Sequence, residues 1–194
     1  MNRTGVFGGT FDPPHIGHLI AAERAIEQAG LSRLIFVPAA IPPHKKERKR
    51  DDGNHRFQML LRSIRGNPRI EVSDCELRRG GLSYTVDTLR DFKAGMEETE
   101  LCFLLGMDML PEFPSWRSAD EILELAELLV LTRPDFPLPT IDRSVRNRLR
   151  ICKIPDIGVS SSDIRRRVRE GRSIRYMVRE SVEEYIRRHK LYTE

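Results

Sequence analysis

Thr4-Gly5-Val6-Phe7 runs directly into Gly8-Gly9-Thr10-Phe11-Asp12-Pro13-Pro14-His15-Ile16-Gly17-His18. A short apolar run passes through glycines and prolines into a segment where Leu19, Ala22, Ile26 and Ala29 share one helical face and Gly30 supplies the stop. Strand, glycine turn and helix in that order form the opening of an α/β unit. Gly8 and Gly9 let backbone N–H groups come close to a ligand, and the helix start adds positive partial charge, so an anion belongs at this turn. His15 and His18, three apart at the helix start, project to neighbouring positions and can both donate to one polyphosphate, with Gly17 leaving room for it.

The same alternation continues outward from this junction. Strand candidates are Leu34-Ile35-Phe36-Val37, Ile70-Glu71-Val72, Leu101-Cys102-Phe103-Leu104-Leu105, Leu128-Leu129-Val130-Leu131 and Ile151-Cys152-Lys153-Ile154. Helices are expected over residues 17–29, 56–65 (Phe57, Leu60, Leu61, Ile64), 85–92 (Val86, Leu89, Phe92) and 119–126. Parallel strands with helical crossovers follow, an open doubly wound α/β sheet that binds ligands beyond the carboxyl ends of its strands. The proline-containing stretches 38–54 and 133–141 read as surface loops. From residue 160 the chain is helical and basic, with Val178, Val182, Tyr185, Ile186 and Leu191 spaced to pack against the sheet. A second motif, Val159-Ser160-Ser161-Ser162-Asp163-Ile164-Arg165, reads as a strand end followed by a hydroxyl-capped helix. No internal repeat or second domain is seen, so residues 1–194 are expected to form one domain.

Composition narrows the functional classes. With 194 residues, 39% hydrophobic and 32% charged, the chain can bury a core and is too apolar to be wholly disordered. No apolar stretch reaches the roughly 18 residues needed to cross a bilayer, and Met1-Asn2-Arg3-Thr4 lacks a signal-peptide core, so no membrane contact and a cytoplasmic location are expected. The three cysteines are widely spaced and never form a CxxC pair, which suggests neither disulfides nor a zinc site. The net charge of +4 is matched by Lys45-Lys46-Glu47-Arg48-Lys49-Arg50 alone; this aromatic-free run offers no stacking platform, and no nucleic-acid partner is expected. The histidine pair lacks HExxH spacing and a third ligand, so no metal held by the protein is expected, and the loop is neither a GxGxxG fingerprint nor a GxxxxGK[ST] loop.

These motifs resemble the HxGH nucleotidyltransferases, and within them the bacterial nicotinate-nucleotide adenylyltransferases, over nearly the whole chain. Residues 8–18 match the family's GG[TS]FDPxHxGH element, and residues 159–165 are similar to its ISSTxIR element with Ser162 in place of threonine. Tyr84-Thr85-Val86-Asp87-Thr88-Leu89, Gly106-Met107-Asp108 and Pro114-Ser115-Trp116 look like its pyridine-site segments, while Arg179 stands where proline is expected. The resemblance implies a Rossmann-like fold and transfer of AMP from ATP, accompanied by Mg²⁺, to nicotinate mononucleotide. Implied roles follow residue by residue: His15, His18 and Arg165 on the phosphates; Gly8, Gly9, Thr10, Phe11, Lys45, Gly106, Asp108, Ser160, Ser161 and Ile164 along ATP; Thr85, Trp116 and Arg133 at the mononucleotide. A phosphopantetheine adenylyltransferase and a non-catalytic nucleotide sensor are the alternatives. Oligomeric state is not encoded in any of these features.

Overall fold

Alternation between the two faces of every central strand builds the molecule. The structure is a computed structural model that describes residues 2–43, 53–96, 98–132 and 143–193. Six strands, β1 (Asn2–Gly9), β2 (Arg33–Pro38), β3 (Ile70–Val72), β4 (Thr99–Gly106), β5 (Ala126–Thr132) and β6 (Leu149–Lys153), form one sheet in the order β3-β2-β1-β4-β5-β6. All neighbours pair in parallel. On β4, Leu101, Phe103 and Leu105 point to one face and Cys102 and Leu104 to the other; on β5, Leu128 and Val130 oppose Leu129 and Leu131. That period of two on a strand buried on both sides is the reason these runs read as nearly continuous hydrophobic sequence.

Each face is covered by helices. Helix α1 (Ile16–Ala29) lays Ala21, Ala22, Ala25, Ile26 and Ala29 on the face carrying Leu34, Phe36, Leu104 and Leu129. Gly30 ends it with φ +63°, the left-handed conformation that glycine adopts without a Cβ clash. Helix α2 (Gly53–Ser63) adds Leu60 to the same layer. The opposite face is covered by α4 (Thr85–Gly95), the 3₁₀ segment Met107–Ser115 and α5 (Ala119–Leu125), through Val86, Leu89, Leu110, Phe113 and Ile122. Two short helices, α3 (Cys75–Arg79) and α6 (Arg143–Arg146), complete these connections.

The strands lie where the hydrophobic runs place them, and the sheet is the expected doubly wound, Rossmann-like one. Several expectations need correction. Val159 is not a strand end: β6 stops at Lys153, and Ser160 begins α7 (Ser161–Arg169) after an irregular segment containing Pro155, which has no N–H for a ladder. The closing helix α8 (Glu180–Arg188) does not pack on the sheet. Its Val182, Tyr185 and Ile186 join Ile164 of α7 and Met59 of α2 in a separate cluster. Helix α2 therefore faces the sheet with Leu60 and the carboxyl-terminal helices with Met59. The expected helix over 119–126 stops at Leu125, since Ala126 already pairs with Leu101. The 3₁₀ segment was missed because i→i+3 turns interrupted by Pro111 and Pro114 carry no 3.6-residue period. Cys102 and Cys152 are buried and Cys75 half-buried, all as free thiols. Among the described residues no helix is long and apolar enough to cross a membrane.

Leu104 is 1% exposed at the centre of the sheet. Leu104→Ala should lower unfolding free energy by about 2–5 kcal/mol, because the cavity left between α1 and β4 cannot collapse; urea denaturation followed by circular dichroism measures it.

Candidate active site

β1 and β4 are hydrogen-bonded neighbours only as far as Val6 and Phe103. Beyond that point β1 stays with β2 to the pair Gly9–Pro38, and β4 stays with β5 to the pair Gly106–Leu131. A crevice therefore opens between their carboxyl ends, at the point where strand order reverses, which is where open α/β sheets hold ligands. Gly8 and Gly9 form one lip and Gly106 the other. At Gly9 a Cβ would lie 2.8 Å from the buried Phe11 ring, so that position needs the missing side chain, whereas at Gly106 it would meet only the movable carboxylate of exposed Asp108, at 2.5 Å.

The loop between β1 and α1 is held from a distance. Phe11 takes a left-handed φ of +51° and buries its ring edge-on to Phe7, Phe36 and His18. The carbonyls of Thr10, Asp12 and Pro13 accept from Arg56 Nη1 (2.9 Å), Arg165 Nη1 (2.6 Å) and Ser161 Oγ (2.9 Å). Asp12 is itself buried, with Tyr192 Oη donating to its Oδ1 at 2.6 Å and Arg165 Nη1 3.7 Å from its Oδ2.

His15 caps α1 in an extended conformation and donates its backbone N–H to His18 Nδ1 at 3.2 Å. That bond makes Nδ1 an acceptor, so the proton of neutral His18 sits on Nε2. The two rings stack with centroids 3.7 Å apart, and His15 Nδ1 is buried without a partner among the described residues. A Cβ on Gly17 would lie 3.0 Å from the His15 ring, so the space at Gly17 is occupied by that imidazole and is not open for a polyphosphate as expected. Burial lowers the His15 pKa to about 4; burial, and then the neighbouring His15, holds His18 well below its ordinary value. Both rings are thus neutral donors near pH 7, ready to gain charge when an anion offsets the desolvation.

In the second motif Ser160 Oγ accepts from the Asp163 N–H at 3.2 Å and caps α7, while Ser162 Oγ accepts from Arg165 Nη2 at 3.1 Å. Ser161 and Arg165 reach the loop, whereas the Ile164 side chain is fully buried against Met59 and α8, leaving only its backbone for any ligand. Across the crevice, Gly8 and Thr85 line one small cavity of about 20 Å³ together with Val6, Val37, Glu76, Thr88, Leu89 and Phe103. Two separate motifs are brought together there. Asp108 is exposed in the first turn after β4. Trp116 is half-buried, its ring 5.6 Å from Phe113 and 6.1 Å from Phe103. Lys45 and Arg133 lie outside the described residues.

Three residues near these motifs carried no local signal. Glu76 sits in the polar run Asp74-Cys75-Glu76-Leu77-Arg78-Arg79, which reads as solvated, yet it is buried; burial raises its pKa even though Thr88 Oγ1 donates to it at 2.6 Å. Arg56 and Tyr192 are equally inconspicuous in sequence. Their partners are 46 and 180 residues away, beyond any periodicity.

Comparison with known proteins agrees with this geometry. The cytidylyltransferase-like family model matches residues 6–167. The chain is 47% identical to the probable nicotinate-nucleotide adenylyltransferase of Thermomicrobium roseum, with 99% of this chain and 92% of that protein covered. It is 43% identical to one from Thermus thermophilus, with 98% and 99% covered. Among solved structures, the Plasmodium falciparum nicotinic acid mononucleotide adenylyltransferase complexed with NaAD is similar in fold, with a TM-score of 0.80 at 19% identity over 99% of this chain and 98% of that one.

The lowered His15 pKa has a consequence for stability. Between its unfolded value near 6.5 and about 4, the unfolded chain binds the proton that the folded imidazole refuses, so stability falls as pH drops through that window. The unfolding free energy of the native protein minus that of His15→Gln should therefore fall from pH 7 to pH 4, measured by denaturant titration at each pH. A difference independent of pH contradicts the burial of a neutral ring.

Proposed function

The chain belongs to the nicotinate-nucleotide adenylyltransferase family, within the cytidylyltransferase-like proteins, and on that premise we propose that this enzyme joins nicotinate mononucleotide to the AMP unit of ATP. The products are deamido-NAD and pyrophosphate, and the role is in NAD biosynthesis. The observation that carries this reading is the crevice between β1 and β4, where the glycine loop, His15, His18 and Arg165 converge and the start of α4 faces Gly8. The relatives' names do not favour the phosphopantetheine alternative or a sensor without chemistry.

An oxygen of the mononucleotide 5′-phosphate attacks the α-phosphorus of ATP, the bond to the bridging oxygen of the β-phosphate breaks, and its electron pair leaves with pyrophosphate. No protein nucleophile takes part. The rate depends on positioning and on neutralising charge over the transferring group. Arg165 supplies a cation at any working pH and, on leaving Asp12, holds the β- and γ-phosphates. His18 donates from Nε2, and His15 lies stacked beside it. Burial holds both rings neutral in the free protein, and the phosphate charge raises their pKa on binding. Backbone N–H groups of residues 8–11 follow the phosphates, Gly106 and Asp108 meet the ribose, and Ser160, Ser161 and the backbone of Ile164 run along the nucleotide. Lys45 adds a further phosphate contact.

No group of three or more His, Cys, Asp or Glu side chains among the described residues is arranged to hold a metal. Mg²⁺ would accompany ATP as the MgATP substrate and would neutralise charge on its phosphates. On the acceptor side, Trp116 offers a ring for stacking on the pyridine, and the N–H groups opening α4 at Thr85 suit the nicotinate carboxylate. Arg133 meets the mononucleotide phosphate.

With MgATP and nicotinate mononucleotide, the protein should release pyrophosphate and form deamido-NAD in equal amounts; no product with any pyridine mononucleotide would refute the reading. His18→Ala and Arg165→Ala should each lower kcat by about 10²–10³-fold and change KM for ATP less, the size of one lost electrostatic contact to a transition state. Steady-state kinetics with circular dichroism as a fold control decides this.

The helix start also predicts acceptor preference. Donors and dipole at α4 suit a carboxylate, whereas an amide NH₂ would face donors it cannot satisfy. Nicotinate mononucleotide should exceed nicotinamide mononucleotide by at least about 10²-fold in kcat/KM. Equal values would place acceptor recognition elsewhere than Thr85 and Trp116.

A further inference from the structure

Glu76 is 6% exposed on the short helix α3 and belongs to none of the motifs that carry the chemistry. Ser73 docks the start of α3 on β2: its N–H bonds to the Phe36 carbonyl at 2.9 Å, and its Oγ accepts from the Cys75 N–H at 3.3 Å. The Glu76 carboxylate accepts from Thr88 Oγ1 at 2.6 Å, and the Ser83 hydroxyl is its second hydrogen-bonding partner. Burial pushes its pKa up, while the two hydroxyls and the Arg79 and Arg56 guanidiniums pull it down. A buried carboxylate seldom adds stability over an apolar side chain of its volume, but its bonds have fixed directions.

Both hydroxyls are tied to the crevice. Ser83 Oγ accepts from the Ala40 N–H at 2.8 Å, and the Ser83 N–H bonds to the Ile41 carbonyl at 2.9 Å. Next to them the Ala39 N–H bonds to the Gly9 carbonyl at 2.9 Å. Thr88 lies one turn along α4 from Thr85. The carboxylate therefore joins the exit of β2, held against the glycine lip, to the first turn of α4. Glu76, Gly8, Thr85 and Thr88 all line the cavity of about 20 Å³, which has room for about one water molecule and none for a pyridine ring. Glu76 thus stands behind the wall of the crevice and acts on a ligand through the groups it holds.

We infer that Glu76 is a positioning residue for the acceptor: by holding Ser83 and Thr88 together it fixes the N–H groups at the start of α4 against the glycine lip, and so sets the preference for a carboxylate over an amide. This rests on the acceptor carboxylate being met at Thr85. Donors that drift lose the directed bonds by which a site tells the acid from the amide. Glu76 does this by reach and not by charge. A negative charge beside the helix start opposes an anionic acceptor, so an effect of charge alone would lower the preference for the acid. The defect belongs to the acceptor, because His18 and Arg165 are set by other contacts, with the His15 N–H and the Asp12 carbonyl.

Glu76→Asp keeps the charge and withdraws the carboxylate by one methylene, whereas Glu76→Gln keeps the reach and one acceptor oxygen and removes the charge. The ratio of kcat/KM for nicotinate mononucleotide to that for nicotinamide mononucleotide should fall about 10-fold in Glu76→Asp, the size of one lost hydrogen bond to a charged group, and by no more than about threefold in Glu76→Gln. Binding of a non-hydrolysable ATP analogue, measured by titration calorimetry without acceptor, should stay within about twofold of the native protein in both, since distant independent sites do not couple. An unchanged ratio in Glu76→Asp, a raised ratio in Glu76→Gln, or an equal loss of analogue binding would each overturn the proposal. If Glu76→Asp melts too low to assay, Thr88→Val decides in its place: it removes the hydroxyl on the α4 side, keeps the branched shape, and should show the same fall in the ratio. A native protein without preference for the acid overturns the acceptor reading and this proposal with it; a native preference that survives Glu76→Asp overturns the proposal alone.

Discussion

The carbonyls of Thr10, Asp12 and Pro13 each accept a hydrogen bond from a side chain at least 46 residues away. The prolines of this turn fix φ only at their own positions, and without these donors the peptide groups from Gly8 to Asp12 would sample more orientations. With its carbonyls drawn toward α2 and α7, the loop is set before any ligand arrives. Each bond contributes about 0.5–1.5 kcal/mol to stability, but their common effect is preorganisation, which removes an ordering cost from ligand binding. The amino-terminal glycine loop therefore depends on the carboxyl-terminal helices being docked, and α2 joins the two, with Leu60 on the sheet and Met59 under α7 and α8.

Electrostatics in the loop follow from the same packing. The His15 and His18 rings stack on each other, and His18 also lies against Phe7 and Phe11, so both are largely desolvated and stay neutral. Arg165 is a cation beside this pair, and its close contact with Asp12 is at the carbonyl, 2.6 Å, against 3.7 Å to the carboxylate. A neutral pair beside a restrained cation is a site whose positive charge grows when an anion enters. Such a design avoids holding three uncompensated positive groups together in the empty protein, where mutual repulsion and desolvation would cost stability.

Much of this architecture is local physics and can be read from the sequence. The strands are found where branched and apolar residues run continuously, because a parallel strand is buried on both faces. Helix α1 is found because its apolar residues recur at helical spacing and Gly30 ends it. The glycines at 8 and 9 and the histidines at 15 and 18 lead to the proposal of an anion site because the relevant chemistry, close backbone approach and donor spacing, is complete within eleven consecutive residues. Periodicity failed for the 3₁₀ segment, for the end of β6 and for the partner of α8, where proline, short turns and helix-on-helix packing replace the sheet as the organising surface.

The sequence alone determined the order of strands and helices, the doubly wound sheet and the position of the glycine loop between β1 and α1, since these depend on side-chain period and on conformational preferences of residues adjacent in the chain. Tertiary structure decided which groups the motifs meet. It buried Glu76 beside Thr85, turned Ile164 into the core, filled the space at Gly17 with the His15 ring, and brought Tyr192 to Asp12 from the far end of the chain. A hydrogen bond between groups 180 residues apart leaves no periodic trace in either segment; it exists only because α2, α7 and α8 bury one apolar cluster together and so fix where the tail comes to rest.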